Sequence, residues 1–187
     1  MANIRKPFGT SIAGNLINVG AVTAPASGTI EASESGDGVN QRTVLTFTGA
    51  TAGSPTGAAA LGFGKLVYTF PAGAIIVKST KFNLALQGGG VVDADTPDVG
   101  LGTVIASGVV SVLSGTATFE NVHTGQTFND CNGTAEVVTN LATASPFALV
   151  IETAAAHTLH LNIADTWAGA DDLLATGTVT IDWAFIG

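Results

Sequence analysis

Thr178-Val-Thr-Ile-Asp-Trp-Ala-Phe-Ile186 decides the fold. Val179, Ile181, Trp183 and Phe185 alternate with Thr178, Thr180 and Asp182, so the apolar set lies on one face of a β-strand. A stretch this apolar reads as a strand in the middle of a sheet. The same period of two recurs upstream. Residues 80–87 put Phe82, Leu84 and Leu86 on one face and Lys81, Asn83 and Gln87 on the other, and Gly88-Gly89-Gly90 ends the run. Residues 157–164 align Leu159, Leu161 and Ile163, and residues 43–48 align Leu45 and Phe47. Residues 65–70, 74–78, 99–106, 109–113, 136–138 and 147–152 are further candidate strands, and Pro71-Ala72-Gly73 is a turn between two of them. Residues 116–122 suit one or two helical turns, with Ser114 as a cap. No segment keeps a helical period over ten or more residues. The expected fold is all-β, a β-sandwich of jelly-roll type.

Composition narrows the role. Only 11% of the 187 residues are charged, where soluble domains carry about 25%. Gly, Ala and Thr fill the gap. A surface this bland suits packing against other protein and points to a part of an assembly. The net charge of −8 and the scatter of the six basic residues exclude a nucleic-acid partner, since phosphate binding needs clustered Lys and Arg. The single cysteine, Cys131, permits no internal disulfide and is expected to be a small buried residue. Val99 to Phe119 carries no charge but is studded with Gly and Ser, so no membrane span is expected there. The first residues are basic with no apolar run after them, which is not the pattern of a signal peptide.

Residues 1–40 differ from the rest. A thin apolar pattern (Ile12, Leu16, Ile17, Val19, Val22) is followed by the polar run Glu31-Ala-Ser-Glu-Ser-Gly-Asp-Gly-Val-Asn40. The expectation is an extended N-terminal arm with one or two short strands, ending in an exposed loop. Ile4, Arg5, Lys6, Phe8, Ile12 and Leu16 are its expected contacts with a neighbour. Residues 41–187 form the β-sandwich domain.

Little in the chain carries catalytic chemistry. Asp93, Asp95 and Asp98 share one loop, a weak calcium candidate without the spacing of an EF-hand, and more simply a solvated acidic turn. His157 and His160 fall on opposite faces of a strand, and with His123 they read as surface or interface residues. The glycines around Lys65 and Leu101 lack the spacing of phosphate-binding loops. Trp167 with Asp165, Asp171 and Asp172 is the one cluster with the residue types of a sugar site. No nucleophile, base or carboxylate pair is singled out. No enzyme activity, metal or cofactor is expected.

His157-Thr-Leu-His-Leu-Asn-Ile-Ala-Asp-Thr-Trp-Ala-Gly-Ala-Asp171 and Thr176-Gly-Thr-Val-Thr-Ile-Asp-Trp183 resemble a recurrent ending of small tailed-bacteriophage structural proteins. Residues 1–8 and the Phe70-Pro-Ala-Gly-Ala74 hairpin resemble the same group. The likeness covers about half the chain and transfers no catalytic residue. It implies a virion protein made in the host cytoplasm, of the capsid decoration (cement) type. Such proteins form small β-rich oligomers, often trimers, that bind the major capsid protein on the outer head surface and reach a neighbour with a terminal arm. The alternative it leaves open is a tail, baseplate or lectin-like receptor-binding module.

Overall fold

The computed structural model describes residues 20–55, 61–88, 96–113, 118–128, 131, 137–143, 149–151, 157–167 and 171–186. Eleven strands lie among them: β1 (Ala21–Val22), β2 (Thr29–Gly36), β3 (Asn40–Gly53), β4 (Gly62–Thr69), β5 (Ile75–Gly88), β6 (Asp98–Gly102), β7 (His123–Thr127), β8 (Val137–Thr143), β9 (Leu149–Ile151), β10 (Thr158–Ala164) and β11 (Leu173–Phe185). They build two sheets, ordered β1-β4-β10-β6-β7 and β2-β3-β11-β5-β8, with β9 also beside β5. Every pairing is antiparallel. From β3 onward the chain changes sheet at each connection except β6 to β7 and β8 to β9.

The stretch from Thr178 to Ile186 supplies the end of β11, which lies between β3 and β5 in the middle of its sheet. Val179, Ile181 and Trp183 are fully buried. Across the gap between sheets the rings continue edge to face: Trp183 against Phe70 at 5.4 Å, and Phe70 against Tyr68 at 5.0 Å. Side chains of both sheets join in one core, the sandwich-like arrangement that alternation requires.

Two long strands keep their apolar side chains inward by shifting register along their length. The segments 74–78 and 80–87, expected as separate strands, are one strand. Asp182 pairs with Ser79 and Trp183 with Val77, so β5 carries an extra residue, Lys78, against β11. Ile75 and Val77 face the core before this bulge; Thr80, Phe82, Leu84 and Leu86 face it after. On the other side of β11, β3 shifts register twice, between Gly53 and Thr51 and between Ala50 and Phe47. Ala175 pairs with Ala50 and Gly177 with Phe47, and inward phase passes from Leu45 and Phe47 to Ala50 and Ala52. Gly49 (φ +54°) and Gly177 (φ +124°) take the left-handed backbone this needs.

Other expectations change. The polar run 31–40 is not an exposed loop. Its first six residues belong to β2, which pairs with β3 along its whole length, and Ile30 is buried opposite Phe47. The turn that follows is closed by the Asp37 carboxylate, which accepts from the Val39 and Asn40 amides at 3.0 and 2.6 Å. Residues 109–113 are not a strand but part of a loop that follows β6, and residues 118–122 are turns with no helix. The β-rich content suggested by Val here is overridden by tertiary contacts described below. The arm contacts Ile4, Arg5, Lys6, Phe8, Ile12 and Leu16 lie outside the described residues.

Candidate functional site

The residues with chemical potential are mostly used by the fold. Asp98 opens β6; its carboxylate accepts from Leu113 N at 3.1 Å and from the Thr127 hydroxyl at 2.7 Å, tying a loop and β7 to β6. Asp93 and Asp95 lie outside the described residues. Among the described residues no three His, Cys, Asp or Glu side chains converge on a common metal position, and no helix is long and apolar enough to cross a membrane. Cys131 is fully buried in the core, as a small residue was expected to be. His157 and His160 are half-buried and hydrogen-bond the backbone of Gly73 and Gly102. Trp167, the aromatic of the sugar-type cluster, is buried. Its Nε1 donates to the Leu61 carbonyl at 2.8 Å and its ring leans on Phe63.

His123 is not a surface residue. It is 1% exposed, stacked on Phe82 with ring centres 4.1 Å apart, and its Nδ1 is 2.5 Å from the Thr80 hydroxyl. Burial pushes its pKa down to about 4, so the ring is neutral in the folded chain.

A polar network crosses the core near the other edge. Trp183 Nε1 donates to Thr43 Oγ1 at 2.9 Å, and the Tyr68 hydroxyl, also hydrogen-bonded to Thr43, donates to the Glu34 carboxylate. Gly20 N–H reaches both Tyr68 Oη (2.9 Å) and Glu34 Oε1 (3.2 Å). The network links β11, β3, β4, β2 and the residue before β1. Desolvation raises the Glu34 pKa, against the hydrogen bonds that lower it. It raises that of Tyr68 as well, with the nearby Glu34 charge adding to the effect.

On the outer face of the second sheet, Arg42 forks onto Asp182 (2.7 and 3.1 Å) and the Ser79 hydroxyl donates to the same carboxylate at 2.9 Å. The Arg42 hydrogen bonds hold the Asp182 pKa below its usual value. Lys78, projected by the bulge, donates to Asn40 Oδ1. An open groove of about 370 Å³ runs beside these groups. Both of its cations are engaged by the chain's own side chains.

The outer face of the first sheet carries the feature that the fold does not consume. Asn162 points outward from β10, between inward Leu161 and Ile163, yet it is fully buried. Residues 103–113 and 118–122 cover it. Its Oδ1 accepts from Ala106 N at 2.8 Å, and its Nδ2 donates to the carbonyls of Val104 (2.8 Å) and Phe119 (2.7 Å). The Gly108 carbonyl accepts from the amides of Leu61 and Gly62, and Ala106 and Leu113 are buried anchors. The loop is thereby fixed, but it turns Val104, Ile105, Val109 and Val112 to solvent, at 43%, 45%, 73% and 51% exposure. Nothing local in the sequence marks this. The Val-rich pattern resembles a strand, and the clamp is supplied by an asparagine about 56 residues away.

No family model matches the chain, and neither the curated proteins nor the solved structures include a match to it.

Proposed function

We propose that the chain is a non-catalytic structural protein of a tailed-phage virion, a decoration protein that binds the outer capsid surface and stabilises contacts between capsomers. The observation that carries this reading is the fixed loop 103–113 with its four exposed apolar side chains. Contiguous exposed apolar surface marks interaction sites, and a loop already held by hydrogen bonds loses little freedom when it is covered. Of the four stretches on which the phage resemblance rests, residues 157–171 contain β10 and residues 176–183 lie within β11.

Strand order supports reading the two sheets as a jelly roll. Taking β3, β4, β5, β6, β7, β8, β10 and β11 as its eight strands, one sheet holds the first, eighth, third and sixth, and the other holds the second, seventh, fourth and fifth. That is the order of two interleaved Greek keys, an architecture used by viral capsid and lectin domains. The lectin-like alternative gains no support, because Trp167 is buried against the chain itself. An N-terminal arm that reaches a neighbour through residues 1–16, homo-oligomerisation and attachment to the major capsid protein belong to the same proposal.

The test is the copy number of this chain in purified particles encoded by the same genome, by quantitative mass spectrometry against the major capsid protein. Hundreds of copies per particle are expected. A handful would move the protein to the tail or a vertex, and absence would overturn the virion reading.

A further inference from the structure

We propose that Glu34, Tyr68 and Gly20 form a proton-controlled latch, which holds β1 on the edge of β4 while Glu34 is protonated and lets it go when Glu34 ionises. The device is a property of the fold and does not depend on the virion reading.

The strap that the latch holds is slight. β1 is two residues long, and its pairing with β4 consists of Ala21 with Thr69 and Val22 with Tyr68. Both of its side chains are exposed, so lifting it uncovers little apolar surface. The firm contact lies one residue earlier. Gly20 N–H is shared between Tyr68 Oη (2.9 Å) and Glu34 Oε1 (3.2 Å). A Cβ at position 20 would come within 2.3 Å of the Tyr68 ring and of the Thr69 carbonyl oxygen, so the fit requires glycine.

The hydrogen-bond chain fixes where a proton on Glu34 must sit. Indole Nε1 of Trp183 can only donate, and Thr43 Oγ1 accepts from it at 2.9 Å. Thr43 in turn bonds the Tyr68 hydroxyl, which donates to Glu34 Oε1. Oε1 therefore accepts twice, from Tyr68 and from Gly20. Oε2 is buried and has no hydrogen-bond partner. That is the pattern of a neutral carboxyl group, with Oε1 as the carbonyl and Oε2 as the hydroxyl. A hydroxyl without an acceptor is costly in such a place, and a negative charge is costlier.

Ionisation brings that charge to a site without water. Among the described residues no other charged group acts on Glu34. Thr43 of β3 and Trp183 of β11 are neutral, Tyr68 is the one titratable side chain against it, and Arg42 of β3 is paired with Asp182 on the outer face. The nearest relief is to lift Gly20 and β1 and admit water. In the closed latch desolvation holds the Glu34 pKa above its ordinary value, against the bonds from Tyr68 and Gly20, and in the open latch solvent returns it towards that value. Between the two the closed form binds more protons. The latch is therefore shut in acid and slackens as the pH rises through that window. What it controls is the point from which residues 1–19 depart.

The experiment is hydrogen exchange of the full chain, read as protection factors for the amides of residues 20–23 at about pH 5 and about pH 8. The natural chain is expected to lose at least fivefold protection there at the higher pH, while the amides of β11 lose none. Glu34→Gln, neutral at both values, should keep the acid-form protection throughout. A second readout is the carboxyl titration of Glu34 by carbon-13 NMR. Gly20→Ala leaves no room for closure, so Glu34 should titrate lower in that variant than in the natural chain. Protection of residues 20–23 that is equal at both pH values overturns the latch. So does a Glu34→Gln chain that loses protection as the natural one does, or a Glu34 titration that Gly20→Ala leaves unmoved.

Discussion

A methyl group at position 177 has no space. Gly177 sits at φ +124° where β11 slips against β3, and a Cβ there would run into the carbonyl oxygen of Asn83 on β5. Backbone strain and the clash against a central strand add, so Gly177→Ala should lose about 2–4 kcal/mol of stability, read from urea unfolding. A loss below about 1 kcal/mol would mean that β11 shifts freely against β5. His123 gives the fold a pH dependence of known sign. Its folded pKa, about 4, lies below the 6.5 of an unfolded histidine. Between those values the unfolded chain binds more protons, so stability is full above pH 6.5 and falls as the pH drops towards 4. The loss amounts to about 3 kcal/mol. Glu34 acts in the opposite sense, because its raised pKa favours the folded state as it protonates. Comparing urea midpoints at pH 7 and pH 4.5 for the natural chain and His123→Phe isolates the histidine: the variant should show the smaller drop. Equal drops would assign the acid sensitivity to carboxylates. None of this was legible around His123, whose neighbours Asn121, Val122 and Thr124 look like surface. Its burial is dictated by Phe82 and Thr80, some forty residues away.

At the scale of the element, the bulge at Lys78 is what lets β5 run for 14 residues with its apolar side chains inward throughout. Deleting Lys78 together with Ser79 would leave Val77 directly next to Thr80 and so turn Ile75 and Val77 to the outer face. The deletion should cost at least about 3 kcal/mol, whereas Lys78→Ala, which keeps the register, should stay within about 0.5 kcal/mol. Thermal unfolding followed by circular dichroism separates the two. Similar effects would show that the Lys78 side chain, and not the phase of the strand, is what matters. The bulge also explains how far the sequence could be read. Strict alternation made the end of β11, the second half of β5 and β10 visible, down to the faces of Leu159, Leu161 and Ile163. A change of phase looks like a strand ending, so β5 was expected as two pieces. In β2 the alternation is hidden because Ile30 is its one large apolar residue, and Thr29, Glu31 and Ser33 make it look like a loop. Its place is fixed by pairing with β3, which no local pattern reveals. The loop 103–113 fails in the other direction: its valines have the composition of a strand, but the clamp at Asn162 takes up the backbone groups that a neighbouring strand would need.

For the whole molecule, the two sheets share one core with few charges; polar groups gather into the network Trp183–Thr43–Tyr68–Glu34, and Asn162 with its three partners lies on the outer face of β10. The division of labour is clear. One outer face is polar and self-paired through Arg42 and Asp182; the other presents the apolar loop on which the assembly proposals rest. The class of fold was legible because it follows from period and turn chemistry. The exposed apolar loop was not, because exposure depends on what the loop leans against. The central position of β11 has a further consequence, in the order of synthesis. β3 and β5 leave the ribosome well before the strand that joins them, and until it arrives each has an open, apolar edge of the kind that invites pairing with another chain. Nearly all the pairings that complete this sheet span long stretches of sequence, such as Trp183 with Gln41, so closure is slow relative to local turns. Nascent chains at high concentration are therefore at their greatest risk of mispairing just before β11 emerges.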